Sequence, residues 1–334
     1  MRAVVQRCHG GPEALVLETV PVPRLAPHEV SVAVEAAGLN RLDLLQRQRP
    51  VLKGFQLPHI AGMDVTGVIV EAGSEVDARR IGERVVIDPN VPALPGSGRT
   101  RTVIGGNVPG GFSEVCVVPA SNVYVLPEHI SPEVAAAFPT VYSTAWRSVL
   151  SVAGLRSGQW MLVHGSSSTL TMAVVQIAGM IGARTVVAGR DADHLTRMKS
   201  LGADAVVDST EEDVVQAVSN VTGGRGVDVV VDHVGGATFA TSVRAVARGG
   251  RVVVAGNVSG DGARIGSLSE LHHKGIHIIG CGSYRPEDFK LALDALTTGL
   301  LVPVIADVGG LECVVPFQER LLRGEPFGKL VVVP

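Results

Sequence analysis

Between Val163 and Thr171 the chain reads VHGSSSTLT, an apolar run ending in a glycine and a cluster of hydroxyls. A strand that turns at Gly165 into a helix would gather the unpaired N–H groups of the helix N-terminus beside Ser167, Ser168, Thr169 and Leu170. Those groups suit a pyrophosphate. A regular dinucleotide fingerprint, GxGxxG or AxGxxG, would place small residues where Ser166, Ser168 and Thr171 stand. Two readings compete. Hydroxyls and N–H groups bind the phosphates, or the added β-carbons block the close approach that glycine permits. An ordinary serine-capped turn is the plain alternative. The next apolar run ends in Gly189-Arg190. Many NAD sites carry an acid there for the ribose 2′-hydroxyl, whereas a guanidinium matches a 2′-phosphate. Gly189 and Arg190 therefore point to NADPH, with His194 and Arg197 adding positive potential and Asp191 free to cap the following helix. A solvated surface arginine is the competing reading.

Metal chemistry has less support. Cys8, Cys116, Cys281 and Cys313 are widely spaced and form no CxxC pair, so neither a disulfide framework nor a zinc knot is indicated. Composition narrows the rest. Hydrophobic residues make up 46% and charged residues 18% of 334, which excludes a disordered chain and predicts about two domains. A net charge of −3 and 4% aromatics argue against nucleic acid, anionic lipid or base stacking as partners. The opening MRAVVQRCHGG has no apolar signal segment, so a cytoplasmic location is expected. Residues 160–183 lack Asp, Glu, Lys and Arg, but the GSSST turn interrupts them, so they read as a buried strand and helix rather than a membrane span.

The elements that must position these residues follow from periodicity. Short β-branched runs at Val30–Ala36, Val65–Ala72 and Arg84–Asp88, punctuated by Gly and Pro, predict a barrel-like first domain. Gly111–Pro119 continues it after a Gly- and Pro-rich loop at Pro89–Gly111. Beyond residue 126, strands alternate with helices: strands at Trp160–His164, Arg184–Ala188, Ala205–Asp208, Val227–Asp232, Arg251–Ala255 and Ile276–Gly280. Helices are expected at Leu170–Ile181, Asp191–Leu201, Glu211–Val221, Ala237–Ala247 and Leu268–Lys274. Such alternation means a parallel sheet covered on both faces, and six strands complete a doubly wound dinucleotide fold. The tail predicts a helix (Pro286–Thr297), a strand (Val302–Ala306), a helix (Pro316–Arg323) and a strand (Leu330–Val333), and its broken alternation suggests a return to the first domain.

Several stretches together resemble the medium-chain dehydrogenase/reductases, in the zinc-independent quinone oxidoreductase (zeta-crystallin-like) branch. They are AAGLNRLD at 36–43, PHIAGMDVTGVIVEAG at 58–73, Gly110–Pro119, LGAD at 201–204, GGRGVDVVVDHVGG at 223–236, Gly249–Gly256 and FGK at 327–329. The resemblance implies an α/β protein with a GroES-like β-barrel domain (1–125 and 284–334) and a doubly wound Rossmann domain (126–283). It also implies a homodimer or homotetramer acting on a small molecule.

In zinc-dependent relatives a cysteine follows the glycine matched by Gly38, a His-Glu pair stands at Met63-Asp64, and a third ligand falls near Thr140. Here Asn40, Met63 and Thr140 occupy those places, and amide, thioether and hydroxyl are not zinc donors. Their four-cysteine lobe is also missing from Pro89–Gly106. Without a Lewis acid, the implied chemistry is hydride transfer from NADPH to an activated C=C bond or quinone, the developing enolate needing hydrogen-bond donors. By the same resemblance, Asn40 and Asp43 line the reaction cleft, Tyr142, Ser143 and Thr144 follow the domain crossover, and Tyr284 is a hydrogen-bond donor. His233, Val234, Asn257, Val258 and Lys329 are implied cofactor contacts. The plain alternatives are a turn residue for Asn40, a core aromatic for Tyr142, a surface residue for Tyr284 and a solvated charge for Lys329; His164 is expected to be a satisfied core group. The sequence departs from the family at the eroded glycine turn, and His194 and Ser209 stand where Lys and Tyr often contact the 2′-phosphate. Arg47–Gln56 lacks the aromatics of many quinone reductases. A non-redox enzyme performing cyclisation, addition or isomerisation, or a structural protein without turnover, competes with the reductase.

Overall fold

The computed structural model describes residues 1–91 and 101–334. The chain divides into two compact units, Met1–Thr140 with Pro303–Pro334, and Val141–Val302.

The first unit carries β1 (Arg2–Gln6), β2 (Leu15–Thr19), β3 (Glu29–Gly38), α1 (Arg41–Gln48), β4 (His59–Ile60), β5 (Asp64–Ala72), β6 (Arg84–Ile87), β7 (Asn90–Val91), β8 (Thr102–Val103), β9 (Val115–Pro119), β10 (Val123–Val125) and α2 (Pro132–Ala136). α3 (Pro139–Trp146) begins there and runs into the second unit. Alternating inward residues of β3, β5, β6 and β9 (Val30, Val32, Val65, Ile69, Val85, Ile87, Cys116 and Val118) share one core cluster. Part of the predicted loop at 89–111, residues 92–100, lies outside the described residues. Its flanks pair as β7 with β8.

The second unit holds β11 (Trp160–His164), α4 (Thr169–Met180), β12 (Arg184–Gly189), α5 (Ala192–Ser200), β13 (Ala205–Asp208), α6 (Val214–Val221), β14 (Val227–Asp232), α7 (Phe239–Ala245), β15 (Val246–Val254), α8 (Leu268–Lys274), β16 (His277–Gly280) and α9 (Pro286–Thr297). The strands run parallel in the order β13-β12-β11-β14-β15-β16. That is the dinucleotide order 3-2-1-4-5-6. Leu162, Val186, Val230 and Val252 are fully buried because helices cover both faces.

Side-chain caps fix helix starts that periodicity leaves loose. Asp213 accepts from the N–H of Val215 and Gln216, so α6 begins at Val214 rather than at Glu211. The turn at Gly235-Gly236 shortens the helix expected from Ala237 to Phe239–Ala245. β9 starts at Val115, four residues after the expected Gly111.

The tail supplies β17 (Ile305–Gly309), α10 (Val314–Arg323) and β18 (Lys329–Val332). β18 pairs antiparallel with β3, Val331 opposite Gly38, and so returns to the first unit's sheet as the sequence suggested. The unit boundaries differ from the expected 125/126 and 283/284. Residues 126–140 stay with the first unit because α2 packs on β3 and β5. Residues 284–302 stay with the second: Asp288 of α9 takes hydrogen bonds from Arg147 and Ser151, and Val302 is tied by N–H and C=O to the Gln176 side chain.

Candidate active site

In the second unit two hydroxyl residues of the β11–α4 stretch, Ser166 and Thr171, face inward. Gly165, at φ +95°, makes the turn, with the His233 ring beneath it 3.3 Å from where a β-carbon would stand. Ser166 is buried against Gly189, whose missing β-carbon would stand 2.3 Å from the Ser166 hydroxyl. Ser168 caps α4 by accepting from the Leu170 N–H at 3.2 Å. Thr171 has no exposure and its hydroxyl lies 3.2 Å from the His164 carbonyl and 3.1 Å from His233 Nε2. Two of the three residues replacing glycines are thus packed into the protein, and only Ser168 sets its β-carbon at the half-exposed mouth of the turn beside Ser167 and Thr169.

A polar chain lies under this turn. His164 Nε2 is 3.0 Å from the Ser242 hydroxyl, which donates to Asp232 at 2.7 Å. Asp232 also accepts from the N–H of Val234 and Gly235 and from the Thr238 hydroxyl. His164 is the satisfied core group expected. Burial pushes the His233 imidazole down to about 4, against the pull of Asp232, and lowers His164 in the same way. The His233 ring therefore holds the turn from below.

At the end of β12, Arg190 is exposed and makes no hydrogen bond or ion pair among the described residues. Asp191 is committed to capping α5, accepting the His194 N–H at 2.8 Å, and His194 Nδ1 sits 3.8 Å from the same carboxylate. The Ser209 hydroxyl donates to the Gly189 carbonyl. Across the sheet, Ser259 N–H and hydroxyl both reach the Val234 carbonyl, and Val258 N–H reaches that of His233. The loops carrying His233–Val234 and Asn257–Val258 are thereby held together, with Asn257 exposed and bonded to Asp261.

The first unit contains a second cluster. Asn40 starts α1, its N–H donating to Asp43 Oδ2 at 2.7 Å in a capping box. Its side-chain amide donates to Asp64 Oδ2 at 2.9 Å and accepts from Lys329 Nζ at 2.7 Å. Lys329 Nζ also reaches Asp64 Oδ2 at 2.7 Å. Asp64 Oδ1 accepts the Thr140 N–H at 2.9 Å and its hydroxyl at 2.5 Å. Lys329 and Asp64 are 2% and 0% exposed, so Lys329 is no solvated charge. Burial raises Asp43 to about 7, although the Asn40 N–H and Lys329 pull it down. Met63 is buried beside Asp64. Among the described residues no group of three or more His, Cys, Asp or Glu side chains could hold a metal ion. The donors at 40, 63 and 140 are an amide, a thioether and a hydroxyl, and two of them are already spent on Asp64. This set does not fit zinc.

Comparison with known proteins then sets the family. Residues 26–128 match the alcohol dehydrogenase GroES-like domain and residues 170–298 the zinc-binding dehydrogenase domain. The chain is 30% identical over 308 residues to quinone oxidoreductase-like protein 2 of Bos taurus, covering 89% of this chain and 83% of that one. The chain belongs to the medium-chain dehydrogenase/reductase superfamily. Within it the quinone oxidoreductase branch is the match: quinone oxidoreductase of Homo sapiens is 28% identical, covering 100% of this chain and 98% of that protein. A crystal structure of an NAD-dependent alcohol dehydrogenase superposes with a TM-score of 0.92 at 34% identity, covering each chain fully. The chain is therefore an oxidoreductase of a pyridine nucleotide-dependent family.

The remaining residues, Tyr142, Tyr284 and Thr144, are buried or half-buried. Tyr142 is 2% exposed; burial pushes its phenol upward while a hydrogen bond with Gln176 pulls it down, which makes it a core aromatic. Tyr284 is buried and stacks on Phe289 with centroids 6.3 Å apart, not a surface residue. Thr144 is half-buried, and its carbonyl accepts from Ser148. Sequence reasoning missed Asp64 as the centre of its cluster. The available signal was an acid inside the apolar run IAGMDVTGVIV, which demands a buried partner. No helix of the described residues is long and apolar enough to cross a membrane.

Proposed function

We propose that this oxidoreductase is NADPH-dependent and zinc-independent, reducing an activated C=C bond or quinone of a small molecule. The observation carrying this reading is Arg190, exposed and unpaired at the end of β12, while Asp191, the acid next to it, is turned into the α5 cap and Asp193 lies within the first turn of that helix. A guanidinium with open donors favours a 2′-phosphate over a bare 2′-hydroxyl. The inward hydroxyls of Ser166 and Thr171 support nucleotide binding, because they leave the turn's outer face close to that of a glycine loop. The backbone of Ser167–Leu170 would take the pyrophosphate, Arg190 with His194 the 2′-phosphate, and the loops at His233–Val234 and Asn257–Val258 the rest. A bound NADPH would supply the hydride. Metal-free reduction is supported by the donor set at Asn40, Met63 and Thr140. Asn40, Asp43, Tyr142, Tyr284 and Lys329, all buried, are the proposed polar groups of the reaction site. A homodimer or homotetramer in the cytoplasm belongs to the same reading.

One observation favours the non-redox alternative: Ser168, at the second glycine position, keeps a β-carbon at the mouth of the turn. Nucleotide titration separates the two. NADPH should quench or shift on binding more tightly than NADH, and Arg190→Ala should weaken NADPH about 10- to 100-fold, the worth of hydrogen bonds to a charged group. Oxidation of NADPH followed at 340 nm with α,β-unsaturated ketones and quinones then tests the reaction. Neither nucleotide binding at millimolar concentration would end the reductase reading.

A further inference from the structure

Asp64 is a carboxylate with no solvent exposure, and a buried charge is tolerated only beside a compensating cation. That cation arrives from β18, 265 residues away in sequence. Lys329 Nζ stands 2.7 Å from both Asp64 Oδ2 and Asn40 Oδ1, while Thr140 satisfies the other Asp64 oxygen. The lysine stem passes over Gly38: a β-carbon there would stand 2.7 Å from Lys329 Cε and 2.3 Å from the Ala136 carbonyl. Three strands' worth of geometry therefore serves to bring one ammonium into an oxygen-lined hole.

We propose that the Lys329 ammonium is a tethered cation filling the place a metal ion would otherwise take among Asp64, Asn40 and the neighbouring Asp43, and that this side chain is what shuts divalent ions out. The inference deepens the metal-free part of the functional reading and rests on it for its catalytic meaning only. Lys329 is a positioning residue here, fixing the Asn40 amide and neutralising Asp64. Carboxylate, amide carbonyl and hydroxyl oxygens are hard donors, suited to Mn²⁺, Mg²⁺ or Ca²⁺ rather than to zinc, which prefers thiolate and imidazole. With the ammonium removed, two carboxyl groups and an amide carbonyl would face a vacated space and should accept such an ion.

The test uses the protein without nucleotide or substrate, so its failure is separate from any failure of the reductase reading. Mn²⁺ is titrated into wild type, Lys329→Ala and Lys329→Ala/Asp64→Asn, with the free ion followed by electron paramagnetic resonance. Wild type should take up none. Lys329→Ala should bind one ion per chain with a dissociation constant at or below about 1 mM, and its melting temperature should rise with Mn²⁺; the double variant should lose both effects. Should Lys329→Ala not fold alone, refolding in Mn²⁺ is read by circular dichroism against the double variant, recovery supporting the proposal and its absence overturning it. Two other results overturn it: folded Lys329→Ala that binds no Mn²⁺, or wild type that binds one Mn²⁺ or Zn²⁺ per chain in a way abolished by Asp64→Asn.

Discussion

Replacing Lys329 by methionine keeps most of the stem and removes only the charge and its donors. Its partner Asp64 has no exposure, and the ammonium lies 2.7 Å from it. Removing one member of a buried pair strands the other and costs about 3–5 kcal/mol. The lost bond to Asn40 Oδ1 is part of the same network, so its worth does not simply add. The partner change isolates the cause. Asp64→Asn keeps an acceptor for Thr140 and removes the stranded charge, so Lys329→Met/Asp64→Asn should recover all but about 1–2 kcal/mol of the loss. The probe must see the correct unit. Both tryptophans, Trp146 and Trp160, lie outside the stretch carrying this pair, in or at the start of the second unit. Tryptophan fluorescence in urea would therefore report the wrong transition if the units unfold separately. Native-state hydrogen exchange at the Leu39 amide, which donates to the Leu330 carbonyl beside Lys329, reads the first unit directly. A loss below about 1 kcal/mol in Lys329→Met, unchanged by Asp64→Asn, would refute the claim that the pair neutralises a buried charge.

The other predictions concern titration and the turn. Asp43 is raised from 3.8 to about 7, so ionising it opposes folding, and its contribution to stability is lost as pH rises through that window; urea midpoints of wild type should fall between pH 4 and 7 more steeply than those of Asp43→Asn. His233 behaves oppositely, lowered from 6.5 to about 4, so stability is full above 6.5 and lost as pH falls toward 4. Thermal melts of His233→Gln over that range should show reduced acid sensitivity, and an unchanged slope would count against the buried neutral ring. Gly165→Ala, at φ +95°, should destabilise by about 1 kcal/mol or more and weaken nucleotide binding through the displaced turn. Ser168→Gly should cost only a few tenths of a kcal/mol as a cap and leave the NADPH dissociation constant within about threefold; a large gain in affinity would mean the serine β-carbon obstructs the groove.

Much of the second unit is legible in the chain because its strands are buried on both faces. WMLVH and VDVVVD coincide with β11 and β14, whose Met161–Val163 and Val229–Val231 are fully buried. Asp191 as the cap of α5 is equally local, since an N-cap needs only its own helix. The first unit is harder. β1 and β2 are not marked by a sequence pattern of their own; β1 pairs with β2 and with β4 some 55 residues on, and a half-buried antiparallel strand has weaker periodicity.

The amino-acid sequence determined the strand–helix alternation, the hydroxyl-bearing turn, the guanidinium that follows β12 and the amide, thioether and hydroxyl at 40, 63 and 140, because each depends on residue type and short-range spacing. Only the tertiary structure decided which way the Ser166 and Thr171 hydroxyls point, that Tyr142 and Tyr284 are buried, and that Lys329 neutralises Asp64. The Lys329 outcome depends on contacts with residues as distant in sequence as Asn40, 289 positions away. Burial sets the partner of each such group, and burial exists only once each unit's own sheet has closed, as where β18 meets β3 in the first.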